Sequence, residues 1–188
     1  YYCPMPRMTP DCDRIIVFGY QTKDPTHFVA EDFFKVALMT LEILSLEDYN
    51  LSTIFIFDFR NYTLGHKGFA VRMKGLHIIN TPPYANIVIG ILKSIFKSKL
   101  VSRIHIHGSD LQKLHKYIPK RCLPREYGGY AGSVNEHWAV WKEKLRSYQT
   151  YFKERENLVT EENKRPGGAF DSGKCFGYEG SFRKLNID

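Results

Sequence analysis

The sequence predicts an α/β fold built on a mainly parallel β-sheet with flanking helices. Three observations carry that expectation. Short β-branched and aromatic runs alternate with segments of helical length. One of those runs is apolar nearly throughout, as a strand covered on both faces is. The chain of 188 residues suffices for one α/β domain with its own core and is too short to promise two.

The elements follow in order. Arg14–Tyr20 (RIIVFGY) reads as a strand, bounded by Asp11 and Asp13 before it and by the turn residues Lys23-Asp24-Pro25 after it. Glu31–Leu46 has helical length and is apolar almost all round, which predicts burial on most sides. Only a stripe through Glu31, Lys35 and Glu42 is charged, and Glu31 with Lys35 makes a favourable i,i+4 pair. Leu51–Phe59 (LSTIFIFDF) is the nearly continuous apolar strand, Gly75–Asn80 (GLHIIN) a shorter one, and Arg103–His107 (RIHIH) alternates strictly. Between the last two lies a helical segment, Tyr84–Phe96, opened by tandem Pro82-Pro83, where a missing N–H costs a helix nothing. Leu123–Gly129 reads as a turn. From about Lys142 a charged helix follows, with Trp138, Trp141, Leu145, Tyr148 and Phe152 spaced to pack one face. The expected division is an α/β domain over 1–141, a C-terminal helix over 142–160 and a poorly ordered Gly-containing tail over 161–188.

Four cysteines (Cys3, Cys12, Cys122, Cys175) lie far apart with no CxxC pair, so reduced thiols are expected rather than a disulfide scaffold or structural zinc. The chain opens on Tyr1 rather than Met, which leads us to expect sequence upstream of it; no secretory signal is visible in what is present. No apolar run reaches the roughly 18 residues a membrane-crossing helix needs.

Charge is regional. Between Arg72 and Arg125 stand eleven Lys or Arg against one acid, Asp110, a net +10 inside a chain of net +7. Such a field suits a polyanionic partner, either a membrane surface or nucleic acid.

The segment Tyr84–Phe96 gathers Ile87, Val88, Ile91, Leu92, Ile95 and Phe96 on one broad face. By periodicity alone this is an ordinary amphipathic helix packed on its sheet. The alternative is a lid whose apolar side covers a ligand. Lys93, Lys97, Lys99 and Arg103 crowd its C-terminal half with no acid nearby, more cations than a helix terminus needs. They suit a lipid headgroup surface, where each contributes about 1 kcal/mol.

Three ordered stretches, GLHIINTPP, KSKLVSRIHIHGSDLQKL and IPKRCLPREYGG, resemble the core signature of the CRAL-TRIO lipid-binding family. The likeness is greatest to the branch of tocopherol and retinaldehyde carriers with its arthropod members, and runs from about Arg14 to Trp141. The resemblance implies that 1–141 is a lipid-binding domain, its sheet forming the floor of an apolar cavity under a mobile gate helix, here Tyr84–Lys99. It implies that Arg72, Lys74, Lys99 and Arg103 bind a phosphatidylinositol bisphosphate headgroup, sound chemistry for several Lys/Arg donors meeting phosphate. It places Phe34, Ala37, Leu38, Leu41, Thr53, Phe57, Leu64, Leu76 and Ile78 around the cavity and Val88, Ile91, Leu92, Ile95 and Phe96 on the gate. The function so implied is that of a carrier for a small hydrophobic lipid, tocopherol- or retinoid-like. It would be cytoplasmic, peripheral at anionic membranes, monomeric, and free of cofactor. Two departures stand out: the family's N-terminal helical bundle is not in this sequence, and the crossover Arg60–Lys74 is shorter than in the family, just long enough to join parallel strands.

Catalysis finds little support. No GxSxG, Walker or GxGxxG pattern occurs. His105 and His107 share one strand face, as metal ligands can, with His77 and His115 as possible companions, but no second cluster fixes a geometry, and no metal is expected. Cys122 has no evident base, and Glu126 is read as a structural ion-pair partner. Two other functions remain open. One is a phosphoinositide sensor or scaffold that transfers nothing. The other, nucleic-acid binding, is disfavoured because the basic stretch is interleaved with aliphatic residues rather than stacking aromatics.

Overall fold

The computed structural model describes residues 1–24, 26, 28–61, 75–82, 90, 98–156, 158 and 164, with the side chains of residues 99 and 100 excepted. A five-stranded sheet organises them, in the spatial order β1 (Tyr2–Pro4), β2 (Asp13–Gly19), β3 (Ser52–Asp58), β4 (Gly75–Ile79), β5 (Ile104–Gly108). The pairs β2–β3, β3–β4 and β4–β5 are parallel. Only β1, an edge strand the sequence did not announce, runs antiparallel to its neighbour. At three residues including Pro4 it is too short and too proline-marked for a periodicity signal.

The four strands read from the sequence stand within a residue of their expected bounds. Side chains alternate across the pleat and so build two separate cores. One face collects Ile15, Val17, Ile54, Ile56 and Ile79 under Leu114, Ile118, Cys122, Leu123 and Tyr127. The other collects Ile16, Phe18 and Phe55 beneath Ala37 and Leu44 of α1 (Ala30–Glu47). The apolar run of β3 is thereby explained, since Ile54 and Ile56 serve one core while Phe55 and Phe57 serve the other.

Helix α1 corrects one expectation. It is buried along one side only, through Ala37, Thr40, Ile43 and Leu44, while Leu38 is 66% and Leu46 56% exposed. A single sheet face can cover only one side of a helix, and Leu38 sits one turn from both Lys35 and Glu42 on the exposed charged stripe. Thr40 and Ser45 tolerate the helix because their hydroxyls donate to Val36 O (2.8 Å) and Leu41 O (2.9 Å). At its C-terminal end Asp48 takes a bidentate ion pair from Arg14, at 2.6 and 2.7 Å, and Arg14 also donates to Met5 O at 2.6 Å. This nearly buried bridge fastens α1 to β2.

After β5 come α3 (Leu111–His115), the 3₁₀ turns Lys120–Cys122 and Arg125–Tyr127, and α4 (Val134–Ser147); the short helix α2 (Ser98–Val101) precedes β5. Leu123–Gly129 is a turn, as read. Gly128 holds φ +71°, and a Cβ on Gly129 would stand 2.0 Å from the carbonyl oxygen of Leu123, so only glycine fits there. Helix α4 passes through position 141 without a break, and its Trp141 donates Nε1–H to Pro4 O at 3.0 Å. The compact unit runs to Ser147. The single charged helix expected beyond Lys142 is thus two helices, and Ser147 Oγ, at the end of the first, donates back to Lys144 O at 2.7 Å. A second unit begins at Tyr148 and holds α5 (Gln149–Glu156), along which Tyr148, Tyr151 and Phe152 contact one another. The tail expected over 161–188 lies outside the described residues apart from Lys164.

Candidate lipid-binding face and its basic border

Parallel register aligns the predicted floor residues. Phe57 pairs with Ile78 and Phe55 with Leu76, while Leu76 and Ile78 in turn pair with Ile104 and Ile106 of β5. Thr53, Phe57, Leu76 and Ile78 therefore share one sheet face with Ile104 and Ile106, the face on which α1 lies. Its two halves differ. Over β1–β3 the face is filled by Ala37 and Leu44, with Phe33, Leu41, Phe57 and Leu76 packed against them. Over β4–β5 the apolar floor comprises Ile78, Leu76, Ile104, Ile106 and Phe59. Phe59 and Phe57 lie 4.2 Å apart between ring centres and join the halves.

Of the predicted cavity wall, Ala37 and Leu41 turn toward the sheet and Phe34 is half-buried. Leu38 does not join them, lying on the exposed charged stripe of α1. Leu64 and the five gate residues Val88, Ile91, Leu92, Ile95 and Phe96 lie outside the described residues. Two cavities lined by described residues stand out. One, of about 310 Å³, lies between the end of β2, the start of α1 and Trp138. The other, of about 270 Å³, lies by Asp58, Arg60, Glu126 and Tyr127. None of the predicted cavity residues lines either.

The expected phosphate-binding cations are seen in part. Arg72 and Lys74 lie outside the described residues, and Lys99 is described by its backbone, in α2. Arg103 is half-buried immediately before β5, and its carbonyl accepts the Leu76 N–H at 2.8 Å. Lys74 directly precedes β4 as Arg103 directly precedes β5, and these strands are parallel neighbours. Arg103 thus stands at the strand-start end of the apolar floor.

The opposite face of β4 and β5 holds a histidine stack. His77 lies 4.9 Å from His105 and 5.1 Å from His107 between ring centres, nearly coplanar with the latter, and Tyr117 closes on His105 at 4.6 Å. Nδ1 of His77 and Nε2 of His107 share a 2.8 Å hydrogen bond. Burial, then the neighbouring imidazoles, pushes His77 down to about 3. His107 is lowered as well, chiefly by burial. The two rings use those nitrogens on each other, which gives them a role in holding β4 to β5. His115, the fourth histidine named, stands apart on Tyr127 O at 2.7 Å.

Glu126 is structural in a way the sequence concealed. Both its oxygens accept the N–H of Val134 at the start of α4 (3.0 and 3.2 Å), while the adjacent ion pair is Arg125 with Glu136 at 2.6 Å. Its partner is a helix N-terminus rather than a cation. Cys122 is buried, its thiol donating to Met8 O at 3.2 Å. Sequence reasoning also missed Asp58. This buried carboxylate accepts from Arg60 N (2.9 Å), Asn80 Nδ2 (2.9 Å) and Tyr127 OH (3.0 Å), tying together the ends of β3 and β4 and the second 3₁₀ turn. An acid ending an apolar strand was the available signal.

Comparison with known proteins finds similarity over parts of the chain. Residues 66–129 match the CRAL/TRIO domain. The mouse protein named "Alpha-tocopherol transfer protein-like" is 40% identical over 85 residues, covering 45% of this chain and 24% of that protein. "Clavesin-1" of Xenopus laevis is 33% identical over 118 residues, covering 52% and 35%, and "Clavesin-2" of the rat 28% over 136 residues, covering 62% and 41%. The chain thus spans less than half the length of these relatives. A solved structure, "Crystal structure of Sfh5", superposes with a TM-score of 0.45 at 13% identity over 78% of this chain and 64% of that one. Over residues 66–129 the chain is similar to the CRAL/TRIO domain, and over the matched stretches it is homologous to the alpha-tocopherol transfer protein-like and clavesin proteins.

Proposed function

We propose that this chain is the ligand-holding part of a carrier for a small hydrophobic lipid, tocopherol- or retinoid-like, which binds phosphatidylinositol bisphosphate at membranes and exchanges its ligand there. In this reading it works in the cytoplasm as a monomer, peripheral at the membrane, and catalyses no reaction. No helix among the described residues is long and apolar enough to cross a membrane. The observation that carries the proposal is the β4–β5 floor: an apolar row, Leu76, Ile78, Ile104 and Ile106, at whose strand-start end Arg103 stands. A ligand stored on that row would leave beside phosphate-facing cations, so headgroup binding and release are neighbours in space. The names of the relatives support the transfer reading for the same region of sequence. The gate Tyr84–Lys99 and the residues Arg72, Lys74, Lys99 and Arg103 keep their proposed roles.

Vesicle flotation with and without phosphatidylinositol bisphosphate tests it. The chain is expected to float with phosphoinositide vesicles, and Lys99→Ala with Arg103→Ala to weaken that binding about ten-fold or more at roughly 1 kcal/mol per cation, with ligand uptake unchanged. Equal flotation on neutral and phosphoinositide vesicles would contradict it. Flotation without any ligand uptake would instead favour a phosphoinositide sensor or scaffold.

A further inference from the structure

We propose that the knob formed by α3 and the first 3₁₀ turn is a second docking surface for anionic bilayers, on the sheet face away from the apolar floor. Lys113, Lys116, Lys120 and Arg121 are all exposed there. Lys113 reaches Asp110 at 3.8 Å, whereas Lys116, Lys120 and Arg121 have no ion pair among the described residues. Two acids that follow in the sequence are otherwise engaged: Glu126 caps α4 and Glu136 holds Arg125. Two large side chains stand among these cations, Tyr117 at 54% and Tyr130 at 73% exposure. The backbone places Tyr130 against the basic turn, since its N–H donates to Lys120 O at 2.9 Å.

Anchorage makes the knob a fixed platform. Leu114, Ile118 and Cys122 alternate with the cations and are wholly buried in the core on the side of Ile15 and Ile54. Tyr117 rests on the histidine stack. Tyrosines pair an apolar ring with a polar tip and favour the headgroup layer. Three of the four cations are lysine, point charges suited to a diffuse anionic surface, whereas nucleic-acid recognition favours the arginine fork.

The knob is distinct from the phosphoinositide-facing set proposed above. Arg103 precedes β5 and the knob follows it, about 17 Å along a five-residue strand. It also lies on the opposite face of the sheet from Leu76, Ile78, Ile104 and Ile106. A chain docked through it would turn the apolar floor away from that bilayer. This inference does not depend on the headgroup assignment of Arg72, Lys74, Lys99 and Arg103.

Phosphatidylserine vesicles lacking any phosphoinositide provide the test, with partitioning measured in the wild-type background and in the Lys99→Ala, Arg103→Ala background. The triple change Lys116→Glu, Lys120→Glu, Arg121→Glu is expected to lower partitioning about 100-fold in both. The milder Lys116→Gln, Lys120→Gln, Arg121→Gln set should show the same direction should charge reversal disturb folding. Lys23→Glu, Lys35→Glu, Lys142→Glu changes the net charge equally at exposed positions outside the knob and should cost far less. An equal loss in that control, or unchanged partitioning in both knob variants, would overturn the proposal. So would retained vesicle binding alongside lost affinity for a single-stranded RNA, which would make the knob a nucleic-acid surface.

Discussion

At the scale of single residues, His77 carries a pH dependence whose sign follows from its burial. An exposed histidine titrates near 6.5, and His77 is held down to about 3. Between those values the unfolded chain binds a proton that the folded chain refuses. Stability therefore rises with pH across that window and is lost on acidification below about 6.5, by up to about 1.4 kcal/mol per pH unit. His107 is lowered too and acts in the same direction. Thermal melts between pH 7 and pH 5 should show the slope, and His77→Gln should flatten it; an unchanged slope in the variant would assign the titration elsewhere. Gly129 makes the second residue-scale prediction. A methyl group at this position would stand only 2.0 Å from Leu123 O, so Gly129→Ala should cost on the order of 3 kcal/mol in denaturant unfolding. The turn was legible from its glycines. The role of Glu126 was not, because a carboxylate that caps a helix and one that pairs a cation look alike in sequence.

At the scale of elements, α1 lies on the floor side of the sheet and is fastened at its C-terminal end by one ion pair. Arg14 and Asp48 retain only 12% and 10% of their side-chain exposure, so breaking the pair leaves a charge in a poorly hydrated site. Asp48→Ala is expected to destabilise the domain by about 3 kcal/mol, read by calorimetry, because Arg14 is then stranded between Met5 and the helix end. The floor makes a separate prediction. Leu76→Trp adds bulk where β3, β4 and β5 meet and should reduce bound lipid about ten-fold or more while phosphoinositide flotation holds. Loss of both together would mean that the variant misfolds rather than fills the site. Strands were legible here because each is β-branched and bounded by polar turns. The one-sidedness of α1 was not: its apolar residues run nearly all round, and only the sheet decides which of them is covered. Leu38 looked like wall for that reason, though its neighbours Lys35 and Glu42 marked it as exposed.

At the scale of the molecule, parallel order brings distant stretches of sequence side by side. β3, β4 and β5 are consecutive in both sequence and space, and Arg103, directly ahead of β5, stands at the strand-start end of the sheet. Alternation then sends Leu76, Ile78, Ile104 and Ile106 to one face and His77, His105 and His107 to the other. The motif spacing anticipated that grouping. It could not anticipate β1 or the Asp58 junction, since both depend on contacts between residues far apart in the chain. The two faces that result are an apolar floor on one side and a histidine-braced surface topped by exposed cations on the other. Native mass spectrometry of the chain purified from cells tests the lipid store most directly. A one-to-one complex with an apolar lipid, displaced on incubation with phosphatidylinositol bisphosphate vesicles, is the predicted result; a chain that stays ligand-free after exposure to tocopherol, retinoid and cell-extracted lipids would contradict the account.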